Sequence, residues 1–373
     1  MVRAHKATRR EACFHPNFTI LEHLSTLLHT TMSRALDPET AASLKNSDPE
    51  TVYNDIVKAL SSETDSLLEI EFLGKSHPLP EGCNVLVDGN SIAITKAKIV
   101  QAFVVARKIF FKYVRDCSGD KLLDFRNATA VILLMDPEHL TAANSRKSLI
   151  QKSQKGPKMT LEAILRKELH FIDSYLTSRL HRHTKSPTLW NHRRWVLKVC
   201  QSIQMEYDIQ HDLKSVVLVA AERHPRNYYA WSHLRWLVQS LTICTNVQTT
   251  SSDFSKLVSV VKDWCLRHPA DTSGFSFLLF CLSMPGHSED VLKTELRSSV
   301  CSEVLRLAVS FQWTHETIWV FLRTLVASGG VLEDEAAAFF RAFEDMQAVQ
   351  PNGHRFLEAA RSWCEKYAQK DQG

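Results

Sequence analysis

Glycine is scarce in this chain, with 11 residues in 373, and only Gly329-Gly330 stand side by side. The glycine-rich loops that cradle nucleotide phosphates therefore have nowhere to form, and neither GxxxxGK[ST] nor GxGxxG occurs. GxSxG and HExxH are missing too, since His315-Glu316 leads to Trp319 where a second zinc-binding histidine would stand. The nine cysteines are an odd number and none is spaced CxxC, which argues against a disulfide framework or a cysteine zinc site and for a reducing compartment. Long apolar runs are also absent. The nearest, Phe103 to Phe111, is interrupted by Arg107 and Lys108 and falls short of the roughly 18 residues that span a bilayer. A net charge of +4, with acidic residues spread throughout, gives no reason to expect a nucleic-acid partner.

What the chain does have is repetition. KSPTLWNHRRWVLK at 185–198 and RNYYAWSHLRWLVQ at 226–239 align on Trp190 and Trp231. Both then carry His two places on (His192, His233), Arg four places on (Arg194, Arg235) and Trp five places on (Trp195, Trp236). Weaker copies place Ala143, Phe275 and Trp319 at the same position, giving successive spacings of 47, 41, 44 and 44 residues. A period in this range marks a repeat architecture. All copies but the last open on an X-Pro step, Asp136-Pro137, Ser186-Pro187, His224-Pro225 or His268-Pro269. Proline cannot continue a preceding helix, so each step reads as the turn between two helices. The segment before one such step, with Leu213, Val216, Val217 and Ala220, has the 3-and-4 apolar spacing of a helix face. The expected fold is all-α: a right-handed α-α superhelix of about five helical hairpins, none able to bury both faces alone.

Four regions follow from this pattern. Residues 1–45 lack a core pattern and read as a mobile tail, a targeting peptide being the lesser reading. Residues 46–119 begin with a helix at Asp48-Pro49-Glu50, running to about Ser61, and contain a short β-hairpin around Asp88-Gly89-Asn90. From Lys96 the chain is helical, with Lys108, Lys112 and Arg115 on a solvated face. The repeats occupy 120–328, with longer polar loops expected at 151–158 and 245–253, and 329–373 supplies a capping helical pair.

Within the repeat helix, Trp190, Arg194 and Leu197 share one side, and His192 and Trp195 the other. Trp190, Trp195, Trp231, Trp236 and Trp319 are expected to pack between units, because tryptophan buries a large apolar area. Arg194 and Arg235 are expected to tie units together through carboxylates or carbonyls. His192 and His233 are open between satisfied core histidines and contacts on a working face. No metal-ligating set is apparent.

The motif of proline, Asn-Tyr or a variant, Trp, two residues and Arg resembles the alpha-subunit repeat of the protein prenyltransferases, most specifically in KSPTLWNHRRW and PRNYYAW. The resemblance is firm over about 120–328 and looser over 49–119. The Lys-Ser-Pro form, with DTSGF and HETIW further on, looks closest to the alpha subunits of type III geranylgeranyltransferases. It implies a cytoplasmic helical subunit wrapped around a separate beta subunit that holds the catalytic zinc and the isoprenoid pocket; the Rab geranylgeranyltransferase beta subunit is one candidate. This chain itself would bind no cofactor. It further implies a prenyl diphosphate, geranylgeranyl rather than farnesyl, and a protein substrate with a C-terminal cysteine. The family's lysine five residues before the repeat Trp matches Lys185, near the diphosphate, but the tyrosine often found two residues later is Pro187 here. In the next copy Arg226, Asn227 and Tyr228 match positions at the subunit junction. Read without the family, Asn227 is a turn residue and Tyr228 a packing aromatic. The rival to the enzyme subunit is a helical-repeat scaffold that binds some other protein, because Trp is missing at Ala143 and Phe275.

Overall fold

The computed structural model describes residues 48–62, 66–74, 76–115, 117, 119, 121–154, 156–244, 251–284, 290–349 and 354–367. The expected N-terminal tail lies outside them, as does most of the expected loop at 245–253. Apart from Asp48 and Pro49, the described residues belong to the compact unit Glu50–Gly373.

It begins with α1 (Pro49–Leu60), whose proline sits at the first helical position, where the missing N–H has no partner to lose. A small sheet follows: β1 (Glu69–Leu73), β2 (Leu86–Asp88) and β3 (Ser91–Thr95), in the order β1-β3-β2. β2 and β3 are the expected hairpin, turning through Gly89 at φ 57°, a left-handed conformation glycine adopts without strain. The sequence reading did not include β1, which pairs parallel to β3 after a long connection and so leaves no local turn signal. The outer edge of β1 is covered, with Arg179 N–H donating to the Ile70 carbonyl at 3.0 Å and Leu68 N–H to Ser174 Oγ at 3.0 Å.

From there the chain is helical: α2 (Lys96–Tyr113), α3 (Lys121–Met135), α4 (Leu140–Ser153), α5 (Lys158–Leu176), α6 (His181–Thr184) and α7 (Pro187–Ser202). Next come α8 (Ile209–Asp212), a π-helical turn (Leu213–Val217), α9 (Leu218–Arg223), α10 (Tyr228–Cys244) and α11 (Ser251–Arg267). α12 (Thr272–Ser283), α13 (Asp290–Ser310), α14 (Glu316–Ala327), α15 (Glu333–Val349) and α16 (Arg355–Tyr367) complete it. The expected loop at 151–158 shrinks to 154–157, because both flanking helices extend into it. The second helices of successive hairpins, α4, α7, α10, α12, α14 and α16, each pack on the next, as a repeat stack requires.

Four of these helices, α4, α7, α10 and α12, start in the same way. His139, Ser186, Asn227 and Asp271 stand four residues before Ala143, Trp190, Trp231 and Phe275, and each side chain accepts a backbone N–H from the first turn. His315, four before Trp319, occupies the cap without that bond. The anchor residues themselves are all buried: Ala143, Trp190, Trp231, Phe275 and Trp319. Trp190 and Trp319 donate their indole N–H to the carbonyl six residues earlier, of Thr184 at 2.8 Å and Trp313 at 2.9 Å. Three anchors pack against the residue two places after the next one: Trp190 on His233, Trp231 on Phe277 and Phe275 on Phe321, with ring centroids 5.1, 5.4 and 5.2 Å apart.

Close packing at the fourth unit demands a glycine. A Cβ at Gly274 would come within 2.7 Å of Trp264 Cζ3. Replacing Trp190 or Trp231 by Ala opens a cavity at a joint between hairpins and should destabilise by about 3–5 kcal/mol. Urea unfolding of the two variants checks this, and a variant that unfolds like the parent would move that indole out of the core.

Candidate functional site

In four of the five copies the position four places after the anchor puts a cation on an aromatic face, Leu279 being the exception. Lys147 Nζ lies 6.0 Å from the Trp195 ring, Arg194 Cζ 5.1 Å from Trp236, Arg235 Cζ 4.5 Å from Phe280 and Arg323 Cζ 5.0 Å from Trp363. In each case the cation belongs to one hairpin and the ring to the next. Arg194 and Arg235 also donate to the carbonyls of Ser232 and Ser276, both at 3.3 Å. Trp195 and Trp236 are half-buried rings in this seam.

His192 and His233 lie in the core, and the residues that hold them were not singled out by sequence. Arg146 and Arg193 stand three places after the anchors Ala143 and Trp190, each nearly fully buried. Arg146 grips Glu168 with Nε at 2.7 Å and Nη2 at 2.8 Å, and spends Nη1 on Thr129 Oγ1 and the Arg126 carbonyl, both at 3.0 Å. His192 Nε2 donates to the same carboxylate at 2.8 Å. Burial alone would raise Glu168, but Arg146 and the His192 hydrogen bond outweigh it and hold the acid well below the usual range.

One hairpin on, Arg193 bonds two acids from different elements. Its Nε reaches Asp173 Oδ1 at 2.6 Å, its Nη1 reaches Asp212 Oδ2 at 3.2 Å, and its Nη2 donates to Asp212 Oδ1. Nη1 also donates to His233 Nε2 at 2.7 Å, which puts that ring's proton on Nδ1. Burial, then the charges of Arg193 and Arg194, hold His233 well below the ordinary histidine value, so it is neutral. In the later copies the same position is Leu234, Leu278 and Leu322, all buried, and the polar joint becomes apolar.

The residues matched to the family's site cluster at the turns that open α7 and α10. Lys185 directly precedes the Ser186 cap and is exposed; its backbone N–H donates to the His183 carbonyl, and its side chain makes no hydrogen bond or ion pair among the described residues. Arg226, its equivalent, has a left-handed φ of 58°, and is tied to the next turn through N–H to Asp271 Oδ2 at 2.6 Å and Nε to the Ala270 carbonyl at 3.3 Å. Asn227 is buried as the α10 cap, and its amide donates to the Thr184 carbonyl at 2.8 Å. Tyr228 follows it with its side chain 67% exposed, beside Tyr229. Lys185 and Tyr228 thus face outward, whereas Asn227, His192 and His233 are joints within the stack.

Among the described residues, no group of three or more His, Cys, Asp or Glu side chains could hold a metal ion. Cys83, Cys117, Cys200, Cys265, Cys281, Cys301 and Cys364 are free thiols, and of these Cys83 alone is exposed. No helix there is long and apolar enough to cross a membrane.

Fold and joints define a stacked α-hairpin repeat protein with outward-facing turns. The sequence model of the protein prenyltransferase alpha subunit repeat matches residues 165–200, the stretch from α5 through Lys185, Trp190 and Arg193 to α7. A second model, the ECM9 middle domain, matches residues 189–304. No curated protein gives a significant match.

Two predictions concern the buried joints. Arg193→Met strands Asp173 and Asp212 in the core and should cost about 3–5 kcal/mol, measurable by chemical denaturation. The folded-state values of His192 and His233 are lowered chiefly by burial, and that of His183 falls to about 4 for the same reason. Groups lowered by folding stabilise only above their unfolded value, about 6.5 for histidine. Melting temperature should therefore fall as pH drops below about 6.5 and continue to fall as Glu168, also lowered, approaches protonation. A flat profile between pH 7 and 4.5 would contradict the neutral assignment of these rings.

Proposed function

We propose that this chain is the alpha subunit of a heterodimeric protein prenyltransferase, transferring a geranylgeranyl group from its diphosphate to a C-terminal cysteine of a protein substrate in the cytoplasm. The observation that carries the reading is the repeat match at 165–200, which contains Lys185. The side chain of Lys185 is exposed and without a hydrogen-bonded or ionic partner among the described residues. A lysine directly before a helix start opposes the helix dipole, so its placement is hard to explain by stability and easy to explain by an anion. As the carbon–oxygen bond to diphosphate breaks, charge grows on the departing oxygens, and an ammonium already in place stabilises that charge. A zinc bound by the beta subunit would supply an activated thiolate, and no step is assigned to a metal in this chain. The Lys-Ser-Pro form with DTSGF and HETIW resembles the type III geranylgeranyltransferases, and the Rab geranylgeranyltransferase beta subunit is a candidate partner.

A second reading, a non-enzymatic scaffold for another protein, draws on the anchors Ala143 and Phe275 and on the match to the ECM9 middle domain at 189–304. Both anchors are buried where tryptophan sits in the other copies, so their substitution leaves the stack intact. Affinity purification of the tagged chain separates the two readings: the enzyme subunit brings down a prenyltransferase beta subunit in equal amount, and the scaffold does not. The chain alone should transfer no prenyl group. In the reconstituted heterodimer, Lys185→Ala should lower single-turnover rate by about one to three orders of magnitude with melting temperature unchanged. An unaltered rate would remove Lys185 from the chemistry.

A further inference from the structure

His181 opens α6 and His224 follows α9, so they belong to the connections of two successive hairpins. His224 Nδ1 and His181 Nε2 are 3.0 Å apart, with ring centroids at 4.1 Å and planes at 76°. At that separation one nitrogen donates and the other accepts, so the pair accommodates a single extra proton and resists a second. Lys185 caps the C-terminus of α6, four residues after His181, and burial, then His181, then Lys185 lower His224 from the ordinary histidine value.

The carboxylates around the cluster are already engaged. Asp136 holds Arg182 at 3.0 Å, and Glu69 holds Arg223 at 2.5 Å, with Arg179 at 3.9 Å. Glu71 lies 4.0 Å from Arg179, Glu222 pairs with His268 at 2.9 Å, and Asp271 takes the Arg226 N–H. None of these acids hydrogen-bonds or ion-pairs with His181, His224 or Lys185 among the described residues. The His181–His224 contact and Lys185, on the same α6 turn as His181, therefore gather three side chains able to carry positive charge at one joint, and no described carboxylate hydrogen-bonds or ion-pairs with them.

We propose that His181, His224 and Lys185 form one anion-binding site across the joint between two hairpins, that it takes a diphosphate group, and that it tightens as the pH falls. The choice of diphosphate rests on the function proposed above; the site itself rests on the cluster. A bound diphosphate offers oxygens to Lys185 and to both rings, and it relieves the repulsion that opposes protonation. Binding and uptake of one proton are then linked, so affinity can rise by up to about tenfold for each pH unit across the titration of the pair. This extends the contact from one lysine to residues of two units, so the site requires the correct stacking of the hairpins.

The test uses the full chain, inorganic pyrophosphate and orthophosphate. Ring resonances of the two histidines are followed against pH with and without each ion, and affinities are measured by calorimetry at pH 8 and pH 6. Pyrophosphate should move both midpoints upward and bind more tightly at pH 6. In His181→Gln/His224→Gln, checked for an unchanged melting temperature, only the pH dependence of pyrophosphate's own protonation should remain. Lys185→Met should weaken binding at both pH values. Midpoints indifferent to pyrophosphate, a double variant with the parent's pH dependence, or equal response to orthophosphate would overturn the proposal. Failure of transfer with beta subunits, with the pyrophosphate response intact, would instead overturn the proposed function and leave the anion site standing.

Discussion

A guanidinium cannot be deprotonated in a protein interior, so wherever one is buried the surroundings must supply its partners. Arg193 sets that demand at the joint between α5, α7, α8 and α10. Asp173 comes from α5, Asp212 from the last residue of α8 and His233 from α10, and the fork of the arginine fits only one arrangement of the three. Sliding a helix by one residue would bury an unpaired charge. Arg146 imposes the same condition one unit earlier through Glu168 and His192. These two joints fix the register of the first hairpins, and the tryptophan packing and the cation ladder follow from that register.

The stack changes character along its length. Where Arg146 and Arg193 stand, the joint is ionic; where Leu234, Leu278 and Leu322 stand, it is apolar. The partner position changes in step, from His192 and His233 to Phe277 and Phe321. A neutral histidine suits a donor or carboxylate beside it, and a phenyl ring suits a leucine. Ionic joints specify geometry and are sensitive to acid, whereas apolar ones tolerate variation in volume. The outward turns bearing Lys185 and Tyr228 are carried on the ionic part, where position is most tightly set.

The sequence was informative where a residue's role repeats. The anchors, the proline steps and the helix starts recur at fixed offsets, and from them the helical hairpins and their order could be read. Arg194 and Arg235 were visible for the same reason, and the carbonyls they reach lie one residue after the next anchor. Arg146 and Arg193 were equally regular, three places after their anchors, but the copy holding Arg146 has alanine as its anchor, so the alignment that reveals the pair is the weakest one. β1 escaped because its partner is distant in sequence.

By itself, the sequence determined a helical repeat and its period, because burial of one face of every hairpin forces apolar residues and turn formers to recur. It also carried, over residues 165–200, a motif similar to the protein prenyltransferase alpha subunit repeat. Only the tertiary structure decided which polar residues face inward. Glu168, Asp173 and Asp212 lie on first helices and their partners on second helices, and no local spacing connects them. The same holds for His181 and His224, which are 43 residues apart and meet because two hairpins stack. A contact across a joint is set by the superposition of whole units, and that superposition follows from all the joints together.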